Sequence, residues 1–167
     1  MGHFEEAISA YNRALSVEPN HVDAWFGKAS AFIELKKYEE AVAAFDATLA
    51  IDGRRSKTWF GKADALSKLH RFTDAIRTYE SGLALDSSNA NAWYGKGNAL
   101  FDVGEFQDAL AAYERAVAID PGRIDAWNGQ GSALVGLKRF DDAISAFDRA
   151  LEIDANDPIS LNNKGSA

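Results

Sequence analysis

Trp25, Trp59, Trp93 and Trp127 are the only tryptophans in a chain of 167 residues. They stand 34 residues apart, and Leu161 takes the next place in the series. A fixed period held over most of a chain means that one structural unit is copied and stacked. Such a unit buries its apolar face on its neighbours, so the architecture follows before any single residue is interpreted. The same property shifts the functional expectation, because stacked units form long binding surfaces more readily than closed active sites.

Aligned on the tryptophans, the units superpose. Their first halves read WFGKASAFIEL, WFGKADALSKL, WYGKGNALFDV and WNGQGSALVGL. Their second halves read YEEAVAAFDATLAID, FTDAIRTYESGLALD, FQDALAAYERAVAID and FDDAISAFDRALEID. Both halves carry apolar residues at spacings of three and four, the mark of an amphipathic helix. In one unit the stripe of the first half is Trp93, Gly97 and Leu100. That of the second half is Phe106, Ala109, Leu110, Tyr113, Ala116 and Val117. Small residues recur where the two helices must meet: Ala29, Ala63, Gly97 and Gly131 on the first, Ala41, Ala75, Ala109 and Ala143 on the second. Phe45, Tyr79, Tyr113 and Phe147 fill the space beside them, and each Trp anchors the packing of its repeat. A helical Gly costs roughly 1 kcal/mol relative to Ala, so its recurrence calls for a packing reason. Asp157-Pro158 reads as an N-cap followed by Pro at the first helical position, and Gly104 suits a left-handed C-terminal cap. The predicted helices cover residues 3–17, 22–35, 38–51, 56–69, 72–85, 90–103, 106–119, 124–137, 140–153 and 158–166.

This helix–turn–helix unit, with Trp, Gly/Ala, Tyr/Phe, Ala, Tyr/Phe, Ala and Pro in order, resembles the tetratricopeptide repeat (TPR). The resemblance covers almost the whole chain. It implies an all-α, right-handed solenoid of antiparallel helix pairs, a TPR superhelix forming a single domain over 1–167. Residues 1–21 are the second helix of a partial repeat. Full repeats occupy 22–55, 56–89, 90–123 and 124–157, and 158–167 starts a truncated one. Some positions depart from the pattern. The third alanine is Thr48 in one copy and Gly82 in another, and the closing proline is Gly53, Ser87 or Ala155 in three. Lys28, Lys62, Lys96 and Lys164 stand three residues after each Trp or its equivalent, with Gln130 once in their place. Their stems are expected to pack while the ammonium reaches water or an acidic neighbour. Because both ends fall within a repeat, the chain is expected to be part of a longer array or to stack end to end as a homo-oligomer.

The resemblance also implies that first helices line a concave groove. The groove-facing positions lie at −2, +1, +5 and +8 from each Trp. They are Asp23, Phe26, Ser30 and Ile33; Lys57, Phe60, Asp64 and Ser67; Asn91, Tyr94, Asn98 and Phe101; and Asp125, Asn128, Ser132 and Val135. The last helix adds Ile159, Asn162 and Ser166. Phe26, Phe60 and Tyr94 form an aromatic row, with Ile33, Phe101 and Val135 at another level; such residues mark a partner surface or pack on neighbouring first helices. Asn91, Asn98, Asn128 and Asn162 offer paired donors and acceptors for a peptide backbone. The Lys, Arg and Asn cluster with which some TPR domains clamp a C-terminal carboxylate is absent. The expected partner is therefore a protein or peptide, neutral or basic, with apolar anchors.

Composition excludes other classes. The net charge is −7 and there is no cysteine. A nucleic-acid or anionic-membrane surface needs a basic patch, and a thiolate zinc site needs cysteine. No apolar run approaches the length of a bilayer span. The start MGHFEEAI is not a signal peptide, which with the missing cysteines predicts a cytoplasmic location. His3, His21 and His70 do not repeat in register and are expected in turns, away from metal spacing. The Gly-Lys pairs lie inside helices and lack a phosphate loop's upstream glycine. No catalytic, metal or cofactor site is expected. The leading reading is a non-catalytic interaction scaffold. The alternatives are an assembly module whose ends stack, and an accessory region of a larger enzyme.

Overall fold

The computed structural model describes residues 2–167, with ten helices and no strand among them. They are α1 (Gly2–Val17), α2 (Val22–Glu34), α3 (Tyr38–Ile51), α4 (Ser56–Lys68), α5 (Phe72–Leu85), α6 (Ala90–Asp102), α7 (Phe106–Ile119), α8 (Ile124–Gly136), α9 (Phe140–Ile153) and α10 (Pro158–Ser166). The helices fall into two compact units, α1–α5 up to Ser87 and α6–α10 from Ser88 onward. In the first, α2 packs on α3 and α4 on α5, with α1 on α2 and α3 on α4 joining successive hairpins. In the second, α6 packs on α7 and α8 on α9, α7 joins them through α8, and α10 lies on α9 and α8.

The second helices match the sequence expectation except that α1 starts one residue early, and α2, α4, α6 and α8 stop one residue early while α10 matches at both ends. The cause lies in the turn. Lys36, His70 and Lys138 have φ of 57°, 57° and 60°, and Gly104 has 83°. The amide after each of them donates back to the last turn: Lys37 to Phe32, Arg71 to Leu66, Glu105 to Leu100 and Arg139 to Leu134, at 2.9–3.0 Å. This reversal satisfies carbonyls that would otherwise be orphaned and fixes where the helix ends. Only Gly104 adopts the left-handed conformation free of a Cβ clash. The first helices start on side-chain caps where the residue can accept: His21 Nδ1 from Ala24, Asn89 Oδ1 from Ala92, and the Asp157 carboxylate from Ser160. His3 lies in α1, fully exposed beside Glu6, and not in a turn.

The core is built on rings seated against small residues. Ala29, Ala41, Ala63, Ala75, Ala109 and Ala143 are wholly buried, and Phe45, Tyr79, Tyr113 and Phe147 nearly so. A Cβ added at Gly61 would come within 2.6 Å of the Phe45 ring, and one at Gly131 within 2.4 Å of Phe147. Tyr113 touches two first helices at once, its ring 2.7 Å from an added Cβ at Gly97 and 2.6 Å from one at Gly129. The glycines therefore buy interhelical approach at the expense of helix propensity. The tryptophans sit at the margin, half-buried. Their indole N–H groups donate to the carbonyl six residues upstream: Trp25 to Pro19, Trp59 to Gly53 and Trp127 to Pro121, at 2.8–2.9 Å. These three tryptophans thus tie their helices to the preceding turn, while the second-helix aromatic occupies the centre of the packing.

Gly131→Ala gains about 1 kcal/mol of helix propensity, but the overpacked Phe147 costs roughly 1–3 kcal/mol. A net loss of stability is expected. Gly165 has nothing within 4 Å of an added Cβ, so Gly165→Ala is expected to stabilise. Urea denaturation of the two variants beside the parent chain measures both signs.

Candidate partner-binding face

The first-helix positions named from the sequence divide into residues used for internal stitching and residues left open. In the first unit, Phe26 is half-buried, with the Phe45 ring at 5.9 Å and the Arg55 guanidinium over its face at 5.2 Å. Arg55 opens α4 and reaches back to the Asp23 carboxylate at 2.6 Å, which holds that carboxyl below its ordinary pKa. Phe60 is only 8% exposed. Its ring occupies the place beside Gly82, where an alanine Cβ would lie 2.5 Å away. Gly82, a departure from the repeat pattern, thereby has a packing reason. Asp64 accepts a hydrogen bond from the buried Tyr79 hydroxyl. Surrounding protein raises the Asp64 carboxyl from its ordinary value although part of the side chain meets solvent, while the Tyr79 bond and Lys68 act in the opposite direction. Burial also pushes the Tyr79 phenol up, with the Asp64 charge adding to it. Ile33 is half-buried.

The second unit repeats the device. Arg123 opens α8 and lies 4.5 Å over the Tyr94 ring, donates to Asn91 and pairs with Asp125 at 2.7 Å. Asn98 accepts from the Tyr113 hydroxyl at 2.8 Å. Asn128 is buried, and both ends of its amide are engaged: Nδ2 donates to Asp157 at 3.0 Å and Oδ1 accepts from Ser160 at 2.9 Å. Phe101, Val135 and Asn162 are not consumed in this way. Phe101 meets Phe106 edge-on at 5.2 Å. Phe101 and Val135 line a cleft of about 200 Å³ with Ser132, Phe147, Asn163, Ser166 and Ala167. Asn162 is exposed.

Sequence reasoning named the +1 residues and missed their partners. Those partners stand four places before each Trp or its equivalent: Arg55, Arg123 and Asp157. The signal was present in the pairing of types, since Arg faces an aromatic ring and Asp faces an amide. The lysine row takes up internal roles. Lys62 pairs with Asp46 and Lys164 with Asp148, each at 2.5 Å, and Lys28 lies 4.8 Å over the Trp25 ring. Among the described residues, no three His, Cys, Asp or Glu side chains gather where they could hold a metal ion. No described helix is long and apolar enough to cross a membrane.

The family model for the tetratricopeptide repeat matches residues 1–55, 60–124 and 99–158. The chain belongs to the tetratricopeptide repeat family. Among solved structures, this TPR chain is similar to a MamA protein at 27% identity, covering 92% of this chain and 84% of that one with a TM-score of 0.89. It is also similar to residues 41 to the end of MamA from Desulfovibrio magneticus RS-1, at 23% identity, 94% and 89% coverage and a TM-score of 0.88. YrrB, described as a TPR protein with an unusual peptide-binding site, aligns at 21% identity over 98% of this chain and 84% of its own, with a TM-score of 0.89. The last two likenesses concern the fold alone. No curated protein matches the chain.

The Asp157 carboxyl is held below its ordinary value of 3.8 by the Ser160 hydroxyl, then by the Ser160 amide and Asn128. A carboxyl depressed in the folded state stabilises the TPR fold above its unfolded pKa, and that contribution is lost as pH falls through the folded value. Asp157→Ala is therefore expected to lower the melting temperature at pH 7, with the gap to the parent chain narrowing below pH 3.8. Thermal melts from pH 7 to pH 2 check the trend.

Proposed function

We propose that this TPR chain is a non-catalytic interaction scaffold that holds a peptide or helix on the face of its first helices, with its main apolar anchor between Phe101 and Val135. The observation that carries the reading is the cleft of about 200 Å³ beside those two side chains. Phe26, Phe60, Tyr94 and Asn128 are committed to neighbouring helices and shape the face, whereas Phe101 and Val135 border open space. Ser132 and Asn163 at the same cleft supply polar groups that fix orientation, as expected of a small site. Asn162 extends the contact, and Asn91 and Asn98 contribute the amide donors that their internal bonds leave over.

The ligand favoured is neutral or basic. The chain carries a net charge of −7, and Asp23, Asp64 and Asp125 stand on this face. Burying two or three apolar anchors contributes about 1.5–3 kcal/mol each before association costs, which sets the expected affinity near micromolar. A peptide library panned on the protein, followed by titration of the selected peptides, tests the site. Phe101→Ala with Val135→Ala is expected to weaken binding at least about tenfold with the helical circular dichroism intact. Equal binding by the double variant would refute the assignment.

A second reading, assembly by stacking of helix hairpins, is favoured by one observation. Ile159 and Leu161 on α10 are 59% and 51% exposed, and Leu161 stands where the other repeats carry Trp. Sedimentation should then show association at hundreds of micromolar that Leu161→Ser abolishes; a monomer at that concentration eliminates the reading.

A further inference from the structure

A second cleft, of about 300 Å³, lies on the other flank of α8. It is lined by Trp127, Gln130 and Leu134 of that helix, by Glu114 of α7, by Arg139 just before α9 and by α9 residues that include Arg149. Two hundred degrees of helix separate Gln130 from Ser132, so this site and the Phe101–Val135 cleft face different ways. Its chemistry is set by register. Gln130 stands at the lysine position of the repeat, and Glu114 stands where the matching acids Asp46 and Asp148 stand. In those two copies the lysine ammonium meets the acid at 2.5 Å, Lys62 on Asp46 and Lys164 on Asp148. In two further copies the ammonium lies over the repeat's own tryptophan, Lys28 at 4.8 Å from Trp25 and Lys96 at 5.7 Å from Trp93. The fold thus shows twice each where an ammonium sits relative to the acid and relative to the ring.

Gln130 keeps the polar end and removes the charge. Its Oε1 is buried and has no hydrogen-bond partner, and a buried acceptor left unpaired is costly. The two arginines of the cleft are already committed, Arg139 to Asp142 at 2.7 Å and Arg149 to Glu152 at 2.7 Å. From this we infer that the Glu114–Gln130–Trp127 cleft is a receptor for a lysine side chain of a partner, whose ammonium takes the place that the chain's own lysine takes in the sister repeats. The Glu114 carboxylate and Gln130 Oε1 accept from the ammonium, and the Trp127 face attracts it through its ring quadrupole. The inference does not depend on the first-helix face binding anything.

Nitrogen-15 NMR of the full chain, titrated with N-acetyl-lysine methylamide, tests it. Saturable shifts are expected at the Trp127 indole N–H and the Gln130 side-chain amide, with the Trp25, Trp59 and Trp93 indoles unmoved. Acetylating the ligand's Nε is expected to weaken binding about tenfold or more. Gln130→Lys supplies the ammonium from within and should abolish the shifts, as should Glu114→Gln, which alters an exposed acid and does not endanger folding. The inference is overturned if the Nε-acetylated ligand binds as well, if either variant binds as the parent does, or if all four indoles shift alike.

Discussion

The contact on which the rest depends is an aromatic ring pressed against the bare backbone of a neighbouring helix. Phe45 lies on Gly61, Tyr113 on Gly97 and Gly129, and Phe147 on Gly131. Each ring comes from a second helix and rests on a first helix: Phe147 closes its own hairpin, Phe45 joins its hairpin to the next, and Tyr113 does both. A methyl group at any of these glycines would meet ring carbon at 2.4–2.7 Å. Helix spacing, and with it the direction in which every first-helix side chain points, follows from that approach. Close-packed interiors leave no slack to absorb a change of this size.

A second layer of contacts decides what the first-helix face presents. The residue that opens a first helix reaches back 32 residues to the previous one, as Arg55 does to Asp23 and Arg123 to Asn91. Buried Asn128 takes part in an equivalent link with Asp157 and Ser160. Together with Arg55 over Phe26 and Arg123 over Tyr94, these links take up positions two residues before and one residue beyond the Trp, where the repeat chemistry varies. Variation there reads as a sign of recognition, yet much of it is compensation between adjoining repeats. The proposed binding site is accordingly narrower, the Phe101–Val135 cleft and its polar edge.

The architecture was legible in the sequence to a fine grain. Period-34 spacing, apolar stripes at three and four, and the caps at Gly104 and Asp157 are local or strictly repeated signals. They placed all ten helices, with α2, α4, α6 and α8 overrun by one residue. That overrun is the same before Gly104 as before Lys36, His70 and Lys138, because the apolar residue preceding the left-handed turn, Leu35, Leu69, Val103 or Leu137, continues the helical pattern while already serving as the C-cap. The candidate face was less legible. Phe60 and Asn128 look exposed by helical phase and are buried, since phase on one helix does not report what the next helix brings against it.

Taken alone, the sequence determined the unit and its copying: a helix pair, its small and large packing positions, its lysine and acid registers, and membership of the TPR family. Those properties are encoded within a single period, so every copy restates them. Only the tertiary structure decided which first-helix residues are spent on stitching, why Gly82 accompanies Phe60, and that Gln130 leaves a buried acceptor beside Glu114 and Trp127. These depend on side chains 16 to 32 residues apart meeting at contact distance, and that meeting is set by how closely the helices pack.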